Sequence, residues 1–108
     1  MALAFLRDKR GSSPVREEWR RLWTTGSERN LIHVIVYLND VLHFGATKDN
    51  LALSRAFNIK DNLFWFSVGN LGVLFSYDGT DLVIIELTRF TDENEGRRKA
   101  LQVAEQRI

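Results

Sequence analysis

The chain has 108 residues, 44% of them hydrophobic and 11% aromatic, and its 15 Lys/Arg nearly balance 14 Asp/Glu for a net charge of +1. That size and apolar content fit a single domain spanning 1–108, with enough chain to bury a core and too much apolar character for disorder. With no cysteine in the sequence, disulfides, thiol nucleophiles and thiolate metal sites are excluded, which fits a reducing compartment.

No apolar run reaches the ~20 residues of a membrane span. The opening "MALAFLRDKRGSS" has no basic stretch ahead of its short apolar piece, so a secretory leader is not expected and a cytoplasmic protein is. "ALAFLR" (2–7) reads as a short strand and "DKRGSS" as a polar loop. In "SPVREEWRRLW", Ser13 as N-cap and Pro14 at the first helical position start a helix. Val15, Trp19, Leu22 and Trp23 form its apolar stripe. Glu17 and Glu18 early and Arg20 and Arg21 late suit the helix dipole.

Ser27 is the next candidate N-cap. "LIHVIVYLNDVLHFG" (31–45) is rich in β-branched residues, but its length, the spacing of Leu31, Ile35, Leu38 and Leu42, and Gly45 as a C′ residue predict a helix. Two helices joined by so short a loop are expected to pack as an antiparallel hairpin. "ATKDNLALSRAFNIKDN" is irregular, with one helical turn near Leu51–Ala56. Three strands follow: 63–68, 71–77 and 81–88, with Gly69-Asn70 and Asp78-Gly79 as tight turns. A last helix is capped by Asp92, with Leu101, Ala104 and Ile108 as its stripe; Gly96 blurs its start. The fold class is α+β.

Charge is unevenly spread. Residues 1–29 carry seven Lys/Arg against four Asp/Glu, residues 30–88 three against six, and residues 89–108 five against four. A footprint for nucleic acid therefore belongs at the two ends of the chain, and the middle repels phosphate. His33, inside an apolar helix, is expected to be partly buried. His43 suits a helix C-terminus. Neither has a second ligand at metal spacing, so no metal or other cofactor is expected. Glu86, in an otherwise apolar strand, reads as a solvent-facing residue or as a base, the first being favoured.

"GSSPVREEWRRL", "LFWFSVGNLGVLFSYDGTDLVIIELTRFT" and "EGRRKALQVAEQR" together resemble the RelE/ParE toxin superfamily, in its phage-related HigB-like branch. The likeness covers nearly the whole chain and rests on pattern more than on rare residues. It implies a RelE-like fold, with an N-terminal helical hairpin packed on a twisted antiparallel β-sheet and a C-terminal helix. It implies the toxin of a type II toxin–antitoxin module, silenced by a helix-turn-helix or partly disordered antitoxin. It also implies a ribosome-dependent mRNA endoribonuclease that inhibits translation, with mRNA and the ribosome as partners.

Such chemistry needs an acceptor for the 2′ proton, cations around the pentavalent phosphate and an acid for the leaving oxygen. Against the family pattern, Ser67 and Gly72 stand where two strand arginines are expected, and Trp65 where an acidic residue is. Of the basic pair after the last strand, Arg89 remains beside Phe90. Losing one such donor costs about two to three orders of magnitude in rate.

Arg89 is the candidate catalytic cation, a role that strand-end solvation explains equally well, and Tyr77 the candidate acid or stacking platform, where packing is the favoured reading. Lys48, Arg55 and Lys60 are candidate RNA contacts before the sheet. Arg97 and Arg98 are candidates on the last helix, where a basic run is commonly only a solvated face. Alternation sends Phe64 and Phe66 toward the helices and Trp65, with Leu63 and Ser67, to the other face. There Trp65 and Leu63 read as a protein-binding patch, or as residues covered by the last helix. Two functions follow: a toxin that cuts mRNA, and a catalytically silent, protein-binding effector of phage or prophage origin on the same scaffold.

Overall fold

The computed structural model describes residues 2–8, 10–44, 57–60 and 62–107. The elements run β1 (Ala2–Phe5), α1 (Pro14–Thr24), α2 (Glu28–Phe44), β2 (Phe57–Lys60), β3 (Leu63–Val68), β4 (Leu71–Tyr77), β5 (Asp81–Arg89) and α3 (Glu93–Arg107). Ser13 caps α1 as expected: its Oγ accepts the Arg16 amide at 3.2 Å and donates to the Leu6 carbonyl at 2.7 Å. Gly26, at φ 95°, turns the chain out of α1, and the Ser27 amide reaches back to the Leu22 carbonyl at 3.1 Å. That closure is the glycine-based helix stop. The Ser27 carbonyl then accepts the Leu31 amide and opens α2.

The five strands form one sheet in the order β1-β5-β4-β3-β2. β2, β3, β4 and β5 are antiparallel neighbours, but β1 runs parallel to β5, Phe5 opposite Ile84. The expected all-antiparallel sheet is thus corrected to a mixed one, because period-two alternation marks a strand without marking its direction. β2 is a further correction: its residues lie in a segment read as irregular. The proposed turn at Leu51–Ala56 and the Gly45 cap lie outside the described residues.

Each face of the sheet carries its own core. Phe64, Phe66, Val73, Phe75, Leu82, Ile84 and Leu87 pack against Val15 and Leu22 of α1 and Leu31, Val34, Leu38 and Val41 of α2. Rings interlock here, with Tyr37 and Phe66 centroids 4.3 Å apart and Phe64 stacked on Phe75 at 5.4 Å. Trp65, Leu74 and Ile85 pack against Ala100 of α3 on the other face. A bulge in β5 opposite Leu74 and Phe75 inserts Ile85, so Leu87 and not Glu86 joins the hairpin core.

The buried row of α2 is Leu31, Val34, Leu38 and Val41, one strip beside the expected one; Ile35 and Leu42 are half-buried. Ile32 and Val36 stay exposed, and so does His33, which corrects its expected partial burial. Trp23, placed in the α1 stripe, is 41% exposed. On α3, Gly96 and Ala100 are buried and Leu101 half-buried. Of the expected Leu101–Ala104–Ile108 stripe, Ile108 lies outside the described residues, and the reading missed the two small residues, Gly96 and Ala100, that are buried on this helix.

Candidate functional site

β5 ends at Arg89, opposite Leu71, and the Phe90 amide donates to the Asn70 carbonyl at 3.0 Å. The chain then turns into α3 through Asp92, whose carboxylate accepts the amides of Asn94 at 2.9 Å and Glu95 at 3.3 Å. This corner encloses an open cleft of about 290 Å³ lined by Asn70, Arg89, Thr91, Asp92, Glu95 and Lys99, with Phe90 and Gly96 behind. Arg89 Nη2 donates to Ser27 Oγ at 3.3 Å, tying the end of the sheet to the start of α2. Lys99 pairs with Glu95 at 3.4 Å.

Nearby, Glu18 is held below the ordinary carboxylate range. The hydrogen bond from Arg21 contributes most, partly opposed by burial, and the charges of Arg21 and Arg89 add to it. The cleft thus offers two cations, a hydroxyl and an amide, with one carboxylate used as a helix cap and another in an ion pair. Such a set can hold one small anionic group; it lacks the second guanidinium that would clamp a phosphate from two sides.

Tyr77 does not join it. Tyr77 pairs with Leu82 at one end of β4, while Arg89 pairs with Leu71 at the other. Six residues of strand at ~3.3 Å each put the two about 20 Å apart. Half-buried, Tyr77 packs against the hairpin core. The expectation that Arg89 and Tyr77 form one catalytic centre is corrected: antiparallel register carries them to opposite ends of the β4–β5 pair.

Ser67 and Gly72 are direct cross-strand partners, and Gly72 also faces Thr88. Ser67 Oγ donates to Glu93 Oε1 at 2.9 Å, fastening the first turn of α3 to β3. A Cβ on Gly72 would lie 2.0 Å from Cη2 and 2.4 Å from Cζ2 of Trp65. The indole therefore lies over the Gly72 backbone, in space any side chain would need. Trp65 is 0% exposed and its ring centroid is 6.4 Å from that of Phe90. Phe90 in turn fills the place a Gly96 side chain would take, with its Cβ at 2.6 Å from the built position.

Trp65 as a surface anchor for a partner is therefore corrected: with Leu63, half-buried at its side, it belongs to the core under α3. The patch where the resemblance expects arginines is occupied by an indole and by a hydroxyl–carboxylate pair.

Of the other candidates, Lys48 and Arg55 lie outside the described residues, and Lys60 closes β2. Arg97 donates to Asn94 Oδ1 at 3.0 Å, Arg98 is exposed, and neither lines the Arg89 cleft. Glu86 is half-buried, its Oε1 accepting the Leu87 amide at 3.2 Å. Among the described residues no three His, Asp or Glu side chains come together as metal ligands, and no helix is long and apolar enough to cross a membrane.

Sequence reading missed Lys99, Asn70, Thr91 and Ser27 as neighbours of Arg89, and Glu93 as the partner of Ser67. A signal existed only for Lys99, four residues after Glu95 on one helix face. No protein-family model matches the sequence, and no curated protein matches it significantly.

Proposed function

We propose that this chain is a RelE/ParE-like toxin component that has exchanged cutting for binding: it keeps the scaffold and acts by occupying a partner, without cleaving mRNA. The reading is carried by the Ser67–Gly72 patch, where Trp65 overlies Gly72 and Ser67 holds Glu93. No cation can enter that space without displacing the indole, and phosphoryl transfer depends on cations placed before the reaction begins. The element order supports the scaffold, with a helical hairpin on one sheet face and a C-terminal helix on the other. A helix-turn-helix antitoxin encoded beside the gene belongs to this proposal.

A second reading, a ribonuclease rebuilt around the sheet corner, is favoured by one observation: Arg89 and Lys99 line the same cleft. Primer extension on mRNA from cells induced for the chain, beside Arg89→Ala, separates the two. Arrested growth with no new cuts is the result expected. Translation-dependent cuts that vanish in Arg89→Ala would overturn the binding reading in favour of the ribonuclease. Unchanged growth without cuts would remove the toxin role altogether.

A further inference from the structure

The loop between β1 and α1 is tied at several points. Asp8 Oδ1 accepts the amides of Arg10 at 2.9 Å and Ser12 at 3.0 Å. The Asp8 amide donates to the Ser12 carbonyl at 2.7 Å, and the Gly11 amide to the Asp8 carbonyl at 3.0 Å. Gly11 completes the turn at φ 82°, where a residue with a Cβ is strained. An open cleft of about 410 Å³ lies against this loop, lined by Arg7 ahead of it and by Arg16 in the first turns of α1. Arg10 stands exposed within the loop.

The carboxylates nearby are already engaged. Asp8 serves backbone amides, Glu17, which also lines the cleft, pairs with Arg20 at 3.8 Å, and Glu18 pairs with Arg21. Arg7 gives one N–H to the Gly11 carbonyl at 3.4 Å, and among the described residues no carboxylate pairs with Arg7, Arg10 or Arg16. Two guanidinium groups on a braced loop and a third on the helix it enters thus stand in the most basic third of the sequence. The helix terminus does not account for this, since Ser13 already caps it and Pro14 has no N–H to offer.

We propose that Arg7, Arg10 and Arg16 bind the phosphodiester backbone of a single-stranded nucleic acid. A guanidinium fork matches phosphate oxygens and stays charged at any working pH. Arg7 and Arg10 stand on the loop and Arg16 on the first turns of α1, with Arg7 and Arg16 lining one cleft. Among the described residues no aromatic side chain lines the cleft, which suits recognition of the backbone. The site lies on the hairpin side of the sheet, away from the Ser67–Gly72 patch, and stands whether or not the chain cuts RNA.

The test is fluorescence anisotropy with labelled oligo(rU) and oligo(dT) of about 15 nucleotides, a length typical of one binding site, over a salt series. The intact chain should bind at low salt. Arg7→Gln/Arg16→Gln should weaken binding about tenfold and flatten the log–log salt slope by about 1.4, two phosphate contacts at ~0.7 each. Arg29→Gln, an exposed arginine of α2 outside the cleft, should leave both unchanged. Tighter binding of oligo(rU) identifies RNA as the ligand, tighter binding of oligo(dT) identifies DNA, and equal binding identifies the backbone alone. The proposal is overturned if neither oligonucleotide binds, if the loop variant keeps the parent affinity and slope, or if the α2 variant loses as much. Unchanged melting temperatures would confirm that the fold is intact in both variants.

Discussion

A methyl group is all that separates Gly72 from alanine, yet that methyl would sit inside the Trp65 ring. Gly72→Ala must push the indole off β4 or bend the strand, and overpacking of this kind costs about 1–3 kcal/mol. Urea denaturation is expected to show a loss at the upper end of that range. Combined with Trp65→Leu, the same substitution should cost less than the sum of the two single changes, because the clash is gone. Additive losses would show that the indole does not press on Gly72. Among the described residues the buried Trp65 Nε1 has no acceptor, so packing holds this tryptophan, and packing is what the substitution disturbs. Its alternation onto the face opposite Phe64 and Phe66 was legible in the sequence. Its complete burial was not, since residues far along the chain supply the cover.

At the level of elements, the β4–β5 hairpin shows how much a short turn controls. Asp78 Oδ1 accepts the Asp81 and Thr80 amides, each at 2.8 Å, and Gly79 takes φ 96°. The bond from Asp81, then that from Thr80, draws the Asp78 carboxyl below its ordinary value. A folded-state value below the unfolded one means stability that is present above about pH 4 and is lost as pH falls through the folded value. Asp78→Asn retains an acceptor but cannot titrate, so its unfolding free energy should fall less steeply below pH 4 than that of the parent. A parallel pair of curves would remove Asp78 from the acid transition. Asp78-Gly79 was readable as a hairpin because the turn chemistry is contained in adjacent residues. α3 was harder: Gly96 looked like a flaw near its start, whereas it is where Phe90 enters.

For the whole molecule, the parallel pairing of β1 with β5 is the decisive contact. Leu6 continues it, its amide donating to the Ile84 carbonyl at 2.9 Å, and packs against the cores on both faces. Without β1, the nine-residue β5 becomes an unpaired edge carrying Leu82, Ile84 and Ile85, the kind of edge that recruits another chain. Deleting residues 2–6 is expected to yield concentration-dependent oligomers in sedimentation velocity; a monomer of parent stability would show that β1 only decorates the sheet. The same architecture sets what the site can do. Antiparallel register puts Tyr77 and Arg89 at opposite ends, and α3 covers the face on which a cleavage site was expected.

By itself the sequence determined the α1 start at Ser13-Pro14, the two tight turns of the meander, the identity of the three described helices and the two-sided alternation of β3. Each depends on capping, turn chemistry or hydrophobic period, which act between residues only a few positions apart. The tertiary structure alone decided that β1 pairs in parallel, that Trp65 is core, that Ser67 meets Glu93 twenty-six positions away, and that Arg89 meets Ser27 across sixty-two. Those outcomes depend on which surfaces exclude water together once the elements pack. That choice is made by burial summed over both cores, and no local pattern records it.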